Sequence, residues 1–199
     1  MPLTKTTKLQ AINTMLSTIG EPPINSLSAQ RADSLIAQAV LDEITKEVLS
    51  YGWHFNTSVD VEMTPEQTTG FIYVADSIVR VDVDPTSGYD VAVRGNKLFN
   101  RKTNSFVFDQ GIILKTIQIY FFDYEELPEE ARRYIAIRSA RVFQDRVVGS
   151  QKLHMFTQQD EVQALAKLQE FEMDTGDYGI FDSYDVARTF IRQGSYRVI

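Results

Sequence analysis

Ala11-Ile12-Asn13-Thr14-Met15-Leu16-Ser17-Thr18-Ile19-Gly20-Glu21-Pro22-Pro23 and, one helix later, Tyr51-Gly52-Trp53-His54-Phe55-Asn56 set the organisation of this chain. The first stretch reads as a helix stopped by glycine and kept from continuing by two prolines. The second reads as a helix stopped by glycine before an aromatic-rich approach to a strand. Leu9, Ile12, Met15, Leu16 and Ile19 recur at helical spacing, which predicts one apolar stripe on a helix from about Thr6 to Ile19. Ser28 is a candidate N-cap for a longer helix running to about Tyr51. Its apolar set is Ala32, Leu35, Ile36, Ala39, Val40, Ile44, Val48 and Leu49, against a polar face of Asp33, Asp42, Glu43, Lys46 and Glu47.

Beyond Phe55 the texture turns to β. Val59, Val61 and Met63 alternate with Asp60 and Glu62, the pattern of a half-buried strand. Further strands are expected at 71–74, 78–83, 91–93 and 106–108, then a long β-branched one from Ile112 to Phe122. Gly95-Asn96 is a hairpin signal. Helical texture returns at Leu127-Pro128-Glu129-Glu130, with proline at the first turn and acids facing the helix dipole. That helix should reach Val148 and stop at Gly149, and Ser150 can cap a fourth helix over 151–173. The fold expected is α+β: a four-helix bundle built from N- and C-terminal helix pairs, an inserted antiparallel β-sheet module and an extended C-terminal tail. The corresponding units are residues 1–54 with 123–173, residues 55–122 and residues 174–199.

A chain of 199 residues with 43% hydrophobic and 11% aromatic content has the make-up of an ordinary globular protein. Its formal charge of −7 argues against a general nucleic-acid binder, although local basic strips are allowed. The absence of cysteine excludes disulfides, thiolate metal sites and cysteine nucleophiles. The beginning of the chain lacks the apolar core of a secretion signal, and no apolar run suits a membrane span, so folding in a reducing cytoplasm is expected. Only two histidines exist, His54 and His154, too few for a multi-histidine metal site. No Gly-x-Ser-x-Gly turn or phosphate-cradling loop is present. Glu125-Glu126 and Glu129-Glu130 are the obvious carboxylate cluster. Their place before a helix explains them best as dipole partners, with a glycoside hydrolase kept as the weaker alternative.

Two basic features invite a partner. Arg94, Lys97, Arg101 and Lys102 lie on the expected hairpin around Phe99, where they suit DNA in a channel, an acidic neighbour or a solvated tip. Arg132, Arg133, Arg138, Arg141 and Arg146 alternate with acids on the third helix and suit salt bridges between subunits. The last segment carries Tyr178, Phe181, Tyr184, Phe190, Ile191, Arg192 and Tyr196 without helical periodicity. It either packs back on the body or docks into a partner.

Ile19-Gly20-Glu21-Pro22-Pro23 and Gly52-Trp53-His54-Phe55-Asn56, in this order, resemble the tail tubular protein A family of short-tailed phages. Asp123-Tyr124-Glu125-Glu126-Leu127-Pro128 is similar to that family's Asp-Tyr-Asp-Glu-Met-Pro approach to its later helix. Met173-Asp174-Thr175-Gly176-Asp177-Tyr178-Gly179 resembles its Met-Asp-Tyr-Gly-Gly-Tyr stretch. The resemblance implies a non-enzymatic virion tail protein without cofactors, assembled in the host cytoplasm. It implies a dodecameric ring that adapts the portal to the tail nozzle, helps retain packaged DNA and gives a platform to tail fibres. The implied partners are the portal protein, the nozzle protein (tail tubular protein B), tail fibres and further copies of the chain. DNA would be met only by proximity in the channel, and no membrane is involved. Tyr178, Phe181, Tyr184, Phe190, Ile191, Arg192 and Tyr196 become the expected portal-docking residues. Gly20, Pro22, Pro23, Gly52, Trp53 and Phe55 become a structural signature.

Overall fold

A computed structural model describes residues 4–28, 31–149 and 151–176. Among these residues the fold is mixed α+β, with four α-helices and a small antiparallel sheet. Helices α1 (Lys8–Thr18) and α2 (Ala32–Leu49) precede the strands. These are β1 (Thr57–Met63), β2 (Ile78–Val83), β3 (Val91–Arg94), β4 (Lys97–Asn100) and β5 (Leu114–Tyr120). Helices α3 (Glu129–Val147) and α4 (Gln151–Gly176) follow. Ser150, the expected cap of α4, and Tyr178, Phe181, Tyr184, Phe190, Ile191, Arg192 and Tyr196 lie outside the described residues.

Helix α1 is closed at both ends by its own sequence. Thr7 and Gln10 form a capping box: the Thr7 hydroxyl accepts the Gln10 N–H at 3.2 Å, and the Gln10 side chain accepts the Thr7 N–H at 2.9 Å. At the other end Gly20 takes φ +80°, so that the Glu21 N–H reaches Leu16 O at 3.0 Å and the Gly20 N–H reaches Ser17 O at 3.2 Å. This is a Schellman stop, and it needs a residue free of Cβ crowding. Asn13 then fixes the returning loop by bonding both backbone groups of Ile24, at 2.9 and 3.0 Å.

Helix α2 departs from expectation in two ways. It starts at Ala32 instead of near Ser28, with Arg31 in the N-cap position and no side-chain cap. Arg31 is instead turned back onto the loop, pairing with Glu21 at 2.5 Å and donating to Pro22 O at 3.0 Å. Its inward face is also rotated in the first turns. Ala37, Val40, Leu41, Ile44, Val48 and Leu49 are buried, whereas Leu35 and Ile36 are 51% and 44% exposed. Ser34 and Thr45 join the buried face because their hydroxyls bond to the helix's own carbonyls, Arg31 O at 2.8 Å and Leu41 O at 2.7 Å.

Helix α3 packs against α1, α2 and α4. Phe143, Ile135, Leu127, Met15, Leu16 and Leu41 are among the largest side chains sealed in that apolar cluster. A second cluster lies in the strand region around Ile72, Val74, Val81, Val83, Leu98, Phe108 and Leu114. There β5 is the central strand, antiparallel to β1 on one side and β2 on the other. Strands β3 and β4 form a separate hairpin whose two-residue turn is Gly95-Asn96, as expected. The segment 71–74 is not a full strand. It contributes one bridge, Tyr73 to Lys97, and backbone bonds to Leu98 and Asn96, both at 2.9 Å. Nor does 106–108 form a strand, and the long last strand shortens to Leu114–Tyr120. Strand β1 is bulged between Ser58 and Val61, with Asp60 at φ +56°. The bulge breaks the alternation and leaves Val59 67% exposed.

The Gly-Trp-His-Phe-Asn segment is the junction between the two apolar clusters. Gly52 takes φ +84°, and a Cβ there would lie 2.4 Å from the Ile119 side chain of β5. Trp53 donates its indole N–H to Val48 O at 2.8 Å and stacks on Phe55 with ring centroids 6.4 Å apart. Asn56 is 1% exposed. Its oxygen accepts the Trp53 N–H at 2.8 Å, and its amide donates to Leu49 O and Tyr120 O, each at 2.8 Å. One side chain thus ties the end of α2 to the end of β5. Asn56→Ala leaves a buried N–H and two carbonyls without this partner, and it should cost about 3 kcal/mol in urea-induced unfolding. A loss under 1 kcal/mol would remove Asn56 from this role.

Candidate functional site

The carboxylates that could have made a catalytic pair hold the start of α3 instead. Glu129 accepts the Thr6 N–H at 2.7 Å and the Thr6 hydroxyl at 2.5 Å. Glu125 accepts the Lys8 N–H at 2.9 Å, and Glu126 accepts the Asp123 N–H at 3.1 Å. Between them Arg132, 4% exposed, donates to Leu127 O and Thr6 O, both at 2.9 Å, and to Glu125 O. Its guanidinium also meets the Glu125 carboxylate at 3.3 Å. Nearby Tyr124 donates its hydroxyl to Arg132 O at 3.0 Å. A hollow of 390 Å³ opens beside this knot, but Lys8 pairs with Asp42 at 2.6 Å on its wall. Three of the four glutamates of the cluster, Glu125, Glu126 and Glu129, therefore bond backbone amides, and of the four Glu126 alone lines the hollow.

The α3 arginines, expected to reach a neighbouring subunit, mostly bond within the chain. Arg138 joins Glu47 of α2 and Glu161 of α4, each at 2.6 Å. Arg141 meets the other oxygen of Glu161 and also Asp145, the latter at 3.4 Å. Arg146 grips Glu43 with two bonds of 2.7 and 2.9 Å. Arg133 and Arg146 are both exposed, and Arg133 makes no ion pair among the described residues. The bond to Arg146 holds the Glu43 carboxyl below its ordinary range. The physical reason for the inward choice is local: α2 and α4 flank α3 and present acids at the right height.

On the hairpin the four expected cations divide. Arg101 pairs with Asp90 at 3.3 Å, and Lys102 donates to Gly88 O. Arg94 instead lies over the Phe99 ring at 3.6 Å, and Lys97 lies over Phe71 at 4.2 Å and Tyr73 at 5.5 Å. Phe71, Tyr73, Phe99 and Phe106 form a run of ring contacts beneath these cations. His54 is exposed, and its backbone N–H is bonded by Glu172 of α4, so the residue serves the junction. The side chain of His154 lies outside the described residues. Among the described residues no cluster of metal-ligating side chains occurs, and no helix is long and apolar enough to cross a membrane.

Of the signature, Gly20, Gly52, Trp53 and Phe55 act in the two turns described above, and Pro22 and Pro23 form the exposed loop between α1 and α2. Reading the sequence for chemistry missed Asn13 and Glu161, gave Asn56 no role beyond its place in the signature, and assigned Arg132 to a neighbouring subunit although its bonds stay within the chain. Asn13 had a visible signal, a polar amide next to the apolar residue Ile12 just before a Gly-Pro stop.

Two consequences are measurable. Glu161 is 8% exposed and is shared by Arg138 and Arg141, whose side chains keep 25% and 19% of their surface. Glu161→Gln should therefore cost about 2 kcal/mol of stability, below the full value of a sealed ion pair because water still reaches the arginines. Burial, reinforced by the Glu129 carboxylate, raises the Tyr124 hydroxyl well above the usual tyrosine range. In the unfolded chain that hydroxyl ionises near its ordinary value of about 10, so stability is intact below this pH and falls as pH rises past it. A thermal transition independent of pH between 9 and 11 would contradict this.

A family model described as Tail tubular protein matches residues 9–178. No curated protein matches the chain. The match spans α1, α2, the whole strand region, α3 and α4, and it contains both turn signatures. The chain belongs to the tail tubular protein family.

Proposed function

We propose that this phage tail structural protein works as an adaptor ring between the portal and the tail nozzle of a short-tailed phage. Copies surround the channel, help retain packaged DNA and offer a platform to the nozzle protein and tail fibres. The observation that carries the reading is the family match over 9–178, in which the two turn signatures serve the fold rather than a reaction. The engagement of Glu125, Glu126 and Glu129 by backbone groups favours a non-enzymatic role over polysaccharide cleavage.

In this reading residues 1–54 and 123–173 act as one unit, a four-helix bundle, and residues 55–122 act as a β-rich insertion. The presence of two separate apolar clusters supports that division. The segment 174–199 is the portal-docking element, with Tyr178, Phe181, Tyr184 and Phe190 as aromatic anchors, a residue type that dominates interface energetics.

The test is to mix the protein with a cognate portal ring and count bound copies by mass photometry and electron microscopy. Uniform decoration of the tail-side face is expected. No complex at micromolar concentration, with folding verified, would sink the adaptor reading and bring a glycan-cleavage assay forward. Deleting residues 176–199 should abolish decoration while moving the thermal transition of the remainder by less than about 3 °C, since the two apolar clusters stay whole. Undiminished decoration by the truncated protein would overturn the docking assignment.

A further inference from the structure

Residues 91–107 carry four cations and not one acid, in a chain whose net charge is −7. Two of those cations, Arg101 and Lys102, bond to the chain itself. Arg94 and Lys97 do not. Among the described residues no carboxylate lies within 4.0 Å of either, and each is held over an aromatic ring. A ring seats a cation without neutralising it, so the charge stays available to a partner. Tyr73 and Val107, 47% and 55% exposed, lie in the segments flanking these rings. Fixed cations, aromatic rings and exposed apolar surface together have the make-up of a protein-binding surface. The acidic body around it makes duplex DNA the poorer fit, because the whole chain would repel a phosphate backbone.

A surface of complementary make-up sits at the far edge of the three-stranded sheet. Strand β1 is an edge strand, and the β3–β4 hairpin packs beside β2, at the opposite edge. On β1 the bulge presents Val59, Asp60 and Glu62 to solvent, with Asp60 in the left-handed region. Neither acid meets a cation within 4.0 Å among the described residues. A bulge with a strained non-glycine residue on an open edge re-aims side chains outward and blocks strand-to-strand pairing there.

We propose that the basic aromatic hairpin of one copy, through Arg94 and Lys97, docks on the acidic β1 edge of a second copy, through Asp60 and Glu62. The two patches are different and lie at opposite edges, so the contact is head-to-tail. Repeated around an axis, such a contact closes a ring or winds a filament. The inference rests on the adaptor-ring reading and supplies it with a lateral contact.

The experiment measures the protein concentration that half-decorates portal rings, together with sedimentation velocity of the free chain across salt concentrations. Arg94→Glu with Lys97→Glu should raise the half-decoration concentration roughly tenfold. Asp60→Asn with Glu62→Lys should do the same, and asparagine keeps the left-handed backbone comfortable. Circular dichroism melts verify that each variant is folded. A protein carrying all four substitutions should recover decoration to within about threefold of the parent, because the lysine introduced at position 62 then faces the two acids introduced on the hairpin and the attraction is restored with its sign reversed. Parent-like decoration by both double variants, or no recovery in the combined protein, overturns the contact while leaving the ring reading intact. Failure of the parent to decorate at all overturns the ring reading and this contact with it. Binding of the parent to a 20-base-pair duplex that the hairpin variants lose, with decoration unchanged, reassigns the patch to DNA and also overturns the inference.

Discussion

Everything in this fold hangs on the closure made by Asn56. The chain leaves the helical cluster after α2, makes the whole strand region and returns after β5. Those two crossing points have to be held side by side. A carboxamide can do this because it offers two donors and an acceptor on one rigid plane. Asn56 uses all three on backbone groups, those of Leu49, Trp53 and Tyr120. Gly52 makes the approach possible, since its missing Cβ is the space that Ile119 fills. The α4 helix reaches the same place through Glu172 and the His54 N–H. The signature Gly52-Trp53-His54-Phe55-Asn56 is thus a mechanical joint, with the Trp53 indole, the His54 N–H and the Asn56 amide each assigned to a strand or helix end.

Arg132 performs the same service at the other side of the molecule. It is a buried cation whose donors end on carbonyls of Thr6, Glu125 and Leu127 and on one carboxylate. A buried guanidinium is tolerable only when its donors are satisfied in this way, because desolvation alone costs several kcal/mol. Through it the first residues of the chain and the approach to α3 become one unit, although they are more than a hundred positions apart in sequence. A glutamate cluster that looks like a reaction centre in one dimension turns out to be the opposite half of this knot. The electrostatics of the helical side follow the same logic, since acids of α2 and α4 pair with Arg138, Arg141 and Arg146 of α3 and leave Arg133 without an ion pair among the described residues.

Much of the architecture was legible because short-range physics decides it. The stop of α1 follows from a glycine and two prolines, the hairpin turn from Gly95-Asn96, and the start of α3 from Pro128 followed by acids. The errors share one cause. Leu35 and Ile36 had the right period for a core face, but α2 is apolar on two sides in its first turns, and periodicity cannot rank the sides. The packing of α3 chose the face containing Ala37, Val40 and Leu41. Likewise Val59 belongs to an alternating pattern, and the bulge at Asp60 turned it out to solvent. The segments 71–74 and 106–108 have strand composition, yet no neighbouring strand was left to pair with them fully.

By itself the sequence determined the types and order of the elements, the two glycine-stopped turns, the lack of cysteine chemistry and the family to which these belong. Those properties depend on residues close in the chain, where backbone geometry, capping and periodicity act. Only the tertiary structure decided which acids are free and which are bound to backbone amides. It also decided which arginines face inward, which side of α2 is covered, and that Arg94 and Lys97 rest on rings while Arg101 and Lys102 do not. Each of these outcomes depends on groups brought together from distant positions, and a hydrogen bond or ion pair forms only where such groups arrive within about 3 Å of each other.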